Sequence, residues 1–149
     1  MEQPSILTLK KHLQHQLEWL EILEEYKRKI DDPYVKSTLS FLIEDTQEAI
    51  ARVSSRLRQL GLSTGEMKEE VEYKRLYQAR SRRYLGDQIK FIWQGLKYQL
   101  QWYNTEVKGL QADSDSQALF VSLAEQNRVR LERWERLMSE MKEIGRAHV

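Results

Sequence analysis

The spacing of the apolar side chains constrains this chain most, because it fits an α-helix over four long stretches. In residues 33–60 the apolar positions follow one another at intervals of three and four, and Thr46 stands in the same series. The apolar positions are Val35, Leu39, Leu42, Ala49, Val53, Leu57 and Leu60. A strand would need alternation at every second residue, whereas a helix needs the period of 3.6 residues seen here. The spacing predicts a helix with one inward-facing stripe.

The same period predicts three further long helices, at residues 5–30, 87–109 and 115–144. Asp31-Asp32-Pro33 ends the first helix, and Asp32 and Pro33 suit the N-cap and first turn of the next. Gly61 is a suitable left-handed terminator for the helix at 33–60. Because the turn between the first two helices is so short, they are predicted to form an antiparallel hairpin.

The stretch 62–84 is predicted to be a long crossover that contains an extra helix over 66–83. Ser63 and Glu66 are spaced for a capping box at its start. Gly86-Asp87 is the predicted break before the third long helix, and one unbroken helix over 66–109 is the alternative. A second turn follows at 113–116, where Ser114 and Gln117 are again spaced for a capping box.

Composition is consistent with one folded domain, 1–149. Hydrophobic residues make up 40% of the chain and charged residues 32%, which is typical of a folded helical protein. There is no cysteine, so disulfides and thiolate metal sites are excluded. The net charge of +1 gives no overall reason to expect nucleic acid as a partner. No apolar run approaches the roughly 20 residues of a membrane span, and residues 1–5 lack a signal-peptide pattern, so a cytoplasmic location is predicted.

Two segments share a pattern that resembles the ferritin-like superfamily of the rubrerythrin and bacterioferritin type. They are Leu42-Ile43-Glu44-Asp45-Thr46-Gln47-Glu48-Ala49-Ile50 and Leu123-Ala124-Glu125-Gln126-Asn127-Arg128-Val129-Arg130-Leu131. In that family the second and fourth helices carry an apolar pair, two polar residues and then Glu-x-x-His. The resemblance implies an all-α, ferritin-like four-helix bundle of two antiparallel hairpins joined by the long crossover.

The resemblance also implies a di-iron site, but its ligand positions carry other residues here. The two Glu-x-x-His pairs fall on Thr46 and Ala49, and on Asn127 and Arg130. The single glutamates of the first and third helices would fall near Gln16 or Trp19, and near Leu96 or Gln99. Hard carboxylate oxygens and imidazoles are absent from all of these positions. No metal and no cofactor is therefore predicted.

Two glutamates near these positions are predicted to face water. Glu44 and Glu125 each lie two residues from the apolar stripe, about 200° around the helix. The histidines do not offer a site in their place. His12 and His15 are interpreted as solvated, with a surface metal site as the alternative, and His148 lies in a tail predicted to fray.

A polar layer is predicted to replace the metal site in the core. Its members are Gln16, Thr46, Gln99, Asn127 and Arg130. Such a layer could bind a small ligand, or it could be a hydrogen-bonded layer that fixes the register of the helices. A buried Arg130 would need a carboxylate partner, and Asp45 and Glu18 are the candidates.

The first and third helices each carry a second stripe of aromatic and apolar residues, which widens their apolar faces. It comprises Trp19, Ile22, Tyr26, Phe91, Tyr98 and Trp102. Either the crossover helix covers it, through Val71, Leu76 and Tyr77, or it is the interface of a homodimer. Gly95 would allow another helix to approach closely.

The first functional hypothesis is a non-enzymatic ferritin-like domain that serves as an interaction or assembly module, because no catalytic constellation is found. The alternative is a metal-binding protein or oxidoreductase of the same superfamily with unusual ligands. The third hypothesis is contact with nucleic acid or a membrane through the crossover. There Lys74, Arg75, Arg80, Arg82 and Arg83 lie among tyrosines. Pairing of these cations with the acidic stretch 66–72 is the simpler interpretation, and no nucleic acid is predicted.

Overall fold

The computed structural model describes residues 4–67 and 72–143, and every regular element in those ranges is helical. The helices are α1 (Pro4–Lys29), α2 (Pro33–Gln59), α3 (Thr64–Met67), α4 (Lys74–Arg80), α5 (Leu85–Glu106) and α6 (Ser114–Glu143). A 3₁₀ turn, Val107–Leu110, continues α5. The predicted all-α class is confirmed. None of these helices has both the length and the apolar character needed to cross a membrane.

Local signals explain where α2 begins and ends. The Asp32 side chain accepts hydrogen bonds from the main-chain N–H groups of Tyr34 and Val35, at 3.0 and 3.1 Å. Pro33 occupies the first turn, where no N–H is needed. Gly61 has a φ of +96°, and the N–H of Leu62 donates to the carbonyl of Leu57. Both signals act as the sequence predicts.

One of the two predicted capping boxes is present and the other is not. The Ser63 N–H donates to Glu66 Oε1 at 3.0 Å, and the Glu66 N–H donates to Ser63 Oγ at 3.3 Å. The predicted pair of Ser114 and Gln117 is wrong. Asp113 caps α6 instead, and accepts from the Ser116 N–H at 3.2 Å. Arg56, near the end of α2, also donates to Asp113 at 2.8 Å, so the capping carboxylate forms an ion pair as well.

The crossover differs most from the sequence prediction. Described residues within 66–83 are helical only up to 67 and over α4, so neither the predicted helix nor the unbroken alternative is present. The break before α5 lies at residues 81–84 rather than at Gly86-Asp87, since α5 begins at Leu85 and Gly86 is buried inside its first turn. Gln88 Nε2 donates to the carbonyl of Arg82 at 3.1 Å and holds this break closed.

Contacts between the long helices run in opposite directions along each adjacent pair. Three residues separate α1 from α2, and the two helices pack together. On α1 and α5, His12 contacts Tyr103, Gln16 contacts Gln99, and Tyr26 contacts Phe91. On α2 and α6, Tyr34 contacts Glu140, Asp45 contacts Arg130, and Arg52 contacts Ser122. On α5 and α6, Ile89 contacts Trp134, and Leu96 contacts Asn127.

The apolar core consists of two clusters. One contains residues 19–42 of α1 and α2 together with parts of α4, α5 and α6, including Leu23, Ile92 and Trp134. The other contains the opposite ends of the long helices, including Leu9 and Phe120. The polar residues of the predicted layer lie between the two clusters, so they divide the core where the resemblance would place the metal.

Candidate ligand-binding site

Most of the predicted polar layer is buried at the level that separates the two core clusters. Gln16, Thr46 and Asn127 are at most 1% exposed, and Arg130 is 7% exposed. Gln99 is half-buried. The opposite faces of α2 and α6 carry Glu44 and Glu125, which are both exposed, as the helix rotation predicts. Ala49, the remaining position at which the resemblance implies a ligand, is also buried.

Hydrogen bonds link members of this layer to neighbouring helices. Asn127 Nδ2 donates to the carbonyl of Leu96 at 2.9 Å, which joins α6 to α5. Arg130 Nε donates to Asp45 Oδ2 at 3.2 Å, so the prediction of Asp45 as its partner is confirmed. The Thr46 hydroxyl donates to the carbonyl of Leu42 in its own helix at 2.7 Å. These bonds remove most of the desolvation cost of the buried polar groups.

Two buried amide oxygens in the layer have no donor among the described residues. They are Oε1 of Gln16 and Oδ1 of Asn127. Gln16 Nε2 donates to Gln99 Oε1, but at 3.4 Å this bond is long. An unpartnered buried acceptor costs about 1–3 kcal/mol. One of these unpartnered oxygens lies on α1 and the other on α6.

The described residues contain no group of three His, Cys, Asp or Glu side chains arranged to hold a metal ion. The inward positions of α2 and α6 hold a hydroxyl, a methyl, an amide and a guanidinium group. A guanidinium has no acceptor and stays protonated, so it cannot bind a cation. The chemistry of these side chains does not fit the di-iron centre that the resemblance implies.

A cavity of about 440 Å³ lies between α1 and α5, beside the start of α4. Gln16 and Gln99 of the polar layer form part of its wall. Aromatic and small residues form another part, namely Trp19, Tyr98 and Trp102 with Gly95. Charged residues also line it, namely Lys11, Glu18, Glu72, Lys74 and Arg75. Its volume and its mixture of apolar walls with a few polar groups are typical of sites for small molecules.

Arg75 is held in place at this cavity by two aromatic rings. Its guanidinium carbon lies 5.4 Å from the ring centre of Phe91 and 5.5 Å from that of Tyr98. Both distances fit cation–π contacts. Glu18, on α1, accepts hydrogen bonds from the main-chain N–H groups of Arg75 and Leu76, at 3.0 and 3.4 Å. Glu18 is thus a partner of α4 and not of Arg130, contrary to the second candidate pairing.

The two histidines of α1 are less exposed than predicted. His12 is 1% exposed, shares a hydrogen bond of 3.0 Å with the Tyr103 hydroxyl, and stacks on Trp102 at 5.4 Å. Burial, with smaller effects of His15 and Arg130, lowers the pKa of His12 to about 3. The solvated interpretation is wrong for His12, whose spacing from Leu9 and Gln16 places it on the core stripe. His148 lies outside the described residues.

His15 lies at the cavity and is half-buried. The pKa of His15 is lowered from its usual value, first by burial and then by the positive charges of Lys11 and Arg75. Lys11 and Arg75 therefore lie close enough to His15 at the α1–α5 cavity to disfavour protonation of its ring.

The predicted interface stripe is largely interior, and this corrects its assignment. Trp19, Ile22, Tyr26 and Phe91 are at most 4% exposed within the single chain. The reason is α4, whose Leu76 and Ala79 belong to the same core cluster, and whose Ala79 carbonyl accepts from the Tyr26 hydroxyl at 2.6 Å. Trp102 is half-buried, and Tyr98 is 53% exposed. Of the predicted covering residues, Leu76 is buried, Tyr77 is exposed, and Val71 lies outside the described residues.

The basic side chains of the crossover have several different partners. Lys74 pairs with Glu72 at 3.4 Å, within the acidic stretch that was predicted to neutralise it. Arg80 pairs with Glu25 of α1 at 3.0 Å, which the sequence did not indicate. Arg82 lies 5.5 Å from the ring centre of Phe91. Glu69 and Glu70 of the acidic stretch lie outside the described residues.

No protein-family model, curated protein or solved structure significantly matches this chain. What the chain binds must therefore be inferred from its own residues.

Proposed function

We propose that this chain is a ferritin-like helical bundle that has lost the di-metal centre and binds a small molecule between α1 and α5. The cavity of about 440 Å³ at that place is the observation that carries the proposal. Its wall includes Gln16, Trp19 and Gln99, which are among the positions near which the resemblance would place metal ligands. The chain is then a binding module without catalysis, and its binding surface is the cavity between α1 and α5 rather than an aromatic outer face.

The relation between the helices supports the ferritin-like part of the proposal. Two hairpins, α1 with α2 and α5 with α6, follow one another along the chain, and residues 60–84 connect them. Across the hairpins α1 contacts α5, and α2 contacts α6, each in opposite directions. A bundle with one long crossover has these neighbours.

Binding of two small aromatic probes tests this function. We expect 2-naphthamide or 2-naphthoate, at millimolar concentration, to shift the backbone amide signals of α1 and α5 in a ¹⁵N-labelled sample. Tyr98→Ala should weaken binding, because it removes one wall of the cavity. Phe41→Ala is the matched control, since Phe41 is 50% exposed on α2 and, like Tyr98, lies beside an arginine. If neither probe shifts those signals, the proposal fails.

The alternative of a metal-binding or oxidoreductase protein is tested separately. Metal analysis of the purified protein would support that alternative if it found about two iron or manganese ions per chain. Size-exclusion chromatography with light scattering tests the predicted homodimer, for which Tyr98 and Trp102 are the interface candidates that are not fully buried.

A further inference from the structure

We propose that the α1–α5 cavity selects a planar, apolar molecule that carries one negative charge, with the anionic group placed against Arg75 and Lys11. This inference rests on the proposed function, since it names the chemistry of the ligand in that same cavity. Shape and charge support it independently.

The shape of the cavity favours a flat ring system. Trp19 is 4% exposed and packs directly on Gly95, where a Cβ atom would lie 2.5 Å from two of its ring carbons. The indole is therefore fixed as a rigid wall. Trp102 and Tyr98 add two further aromatic faces. Aromatic walls favour stacked or edge-to-face contact with another ring, and about 440 Å³ leaves room for one small ring system.

The described residues that line the cavity carry three cationic side chains against two carboxylates, which leaves an excess of one positive charge. Glu18 accepts two main-chain hydrogen bonds at the start of α4. Glu72 pairs with Lys74 at 3.4 Å. Among the residues that the structure describes, neither the guanidinium of Arg75 nor the ammonium group of Lys11 forms an ion pair with a carboxylate. A neutral or cationic ligand would leave these two charges unused, whereas an anion would pair with them.

Arg75 is also suited to bind an anion because it is already ordered. Its guanidinium carbon lies 5.4 Å from the ring centre of Phe91 and 5.5 Å from that of Tyr98. A planar guanidinium can stack on rings and still present its N–H groups to a carboxylate in a bidentate manner. Since the side chain is ordered before binding, little conformational entropy is lost when the anion arrives.

The experiment compares 2-naphthoate with 2-naphthamide, its neutral analogue, by isothermal titration calorimetry on the full chain at low salt. We expect the wild-type protein to bind the carboxylate roughly tenfold more tightly than the amide, as one charge-assisted pair would give. Arg75→Gln should remove this preference and leave affinity for the amide unchanged. Arg75→Lys should retain part of the preference, because it keeps the charge but loses the bidentate geometry.

Arg82→Gln is the matched control, because Arg82 also lies over Phe91, at 5.5 Å, but does not line the cavity. It should alter neither affinity. If Arg75→Gln fails to fold, Lys11→Gln on the exposed face of α1 provides the same comparison. Equal binding of the two probes to the wild-type protein would overturn the inference while leaving the proposed function intact. Equal loss of both probes in Arg75→Gln would overturn it as well.

Discussion

The indole ring of Trp19 occupies the space that a side chain at residue 95 would need. A Cβ atom on Gly95 would lie 2.5 Å from Cη2 and from Cζ3 of that ring. Gly95 thus lets α5 pack against a large side chain of α1. The same contact fixes one wall of the α1–α5 cavity.

We expect Gly95→Ala to destabilise the protein by about 1–3 kcal/mol, because the added methyl group must displace the Trp19 ring from a packed core. Helix propensity alone would predict the opposite sign, since alanine is favoured over glycine in a helix by about 1 kcal/mol. Urea denaturation followed by circular dichroism measures the difference. Gly109→Ala is the control, because nothing lies within 4 Å of a Cβ atom there.

A double substitution tests whether Trp19 is the cause of that loss. Trp19→Phe shortens the ring and removes the two atoms that the new methyl group would meet. We therefore expect Gly95→Ala to cost clearly less in the Trp19→Phe background than in the wild type. Equal costs in the two backgrounds would place the strain elsewhere.

A single carboxylate in the polar layer should not create a metal site. Thr46→Glu and Asn127→Glu each supply one hard ligand, whereas the remaining inward positions still lack carboxylates and imidazoles. We expect no tight iron binding by either variant, and a loss of about 2–4 kcal/mol because an unpaired carboxyl group becomes buried. Metal analysis after dialysis and a thermal melt measure the two effects. Stoichiometric iron in either variant would contradict the reading of this layer.

The inward faces of the four long helices could be predicted because each is determined by its own apolar spacing. That spacing alone places Thr46 and Asn127 in the core and Glu44 and Glu125 in water. Together with Asp31-Asp32-Pro33 and Gly61, it also gives the bounds of α1 and α2, and the start of α6, to within one residue. The partner of Arg130 was narrowed to Asp45 or Glu18, and the structure selects Asp45, which stands one position before Thr46 on the facing helix.

The position of α4 could not be predicted, because a helix of seven residues carries too short a pattern to show which face it buries. Its packing on α1 decides that Tyr26 and Phe91 are interior, and its first turn brings Arg75 to the cavity. His12 is a different case, because its place on the core stripe was visible. Histidine is usually only partly buried, so its residue type alone does not indicate the core position that the spacing gives it.

Removing the buried amide of Gln16 should not harm stability. Its Oε1 atom lacks a donor among the described residues, and its Nε2 atom makes only a long bond of 3.4 Å to Gln99. Methionine has a similar shape and needs no partner. We expect Gln16→Met to leave the free energy of unfolding unchanged or to raise it by up to about 1 kcal/mol. A loss of more than about 1 kcal/mol in urea denaturation would mean that the amide is fully hydrogen-bonded in solution.

Acid should destabilise the fold through His12 before most carboxylates titrate. Burial lowers the pKa of His12 to about 3, whereas an unfolded chain has a histidine pKa near 6.5. Between these values the unfolded state binds one more proton, so the free energy of unfolding should fall by up to about 1.4 kcal/mol for each pH unit below 6.5. Urea denaturation at intervals from pH 7 to pH 4.5 measures this slope.

The expected signature is a flatter slope in His12→Gln than in the wild type, whatever the absolute stability of that variant. His15→Gln is the comparison, because the pKa of His15 is also lowered but its ring is only half-buried, so it should flatten the slope less. Asp113 does not titrate between pH 7 and pH 4.5. Hydrogen bonds from Ser116 and Arg56 outweigh burial and hold its pKa at about 2. Its contribution is lost only below its ordinary pKa of 3.8. An unchanged slope in His12→Gln would mean that water reaches His12 and that the core at Tyr103 and Trp102 opens in solution.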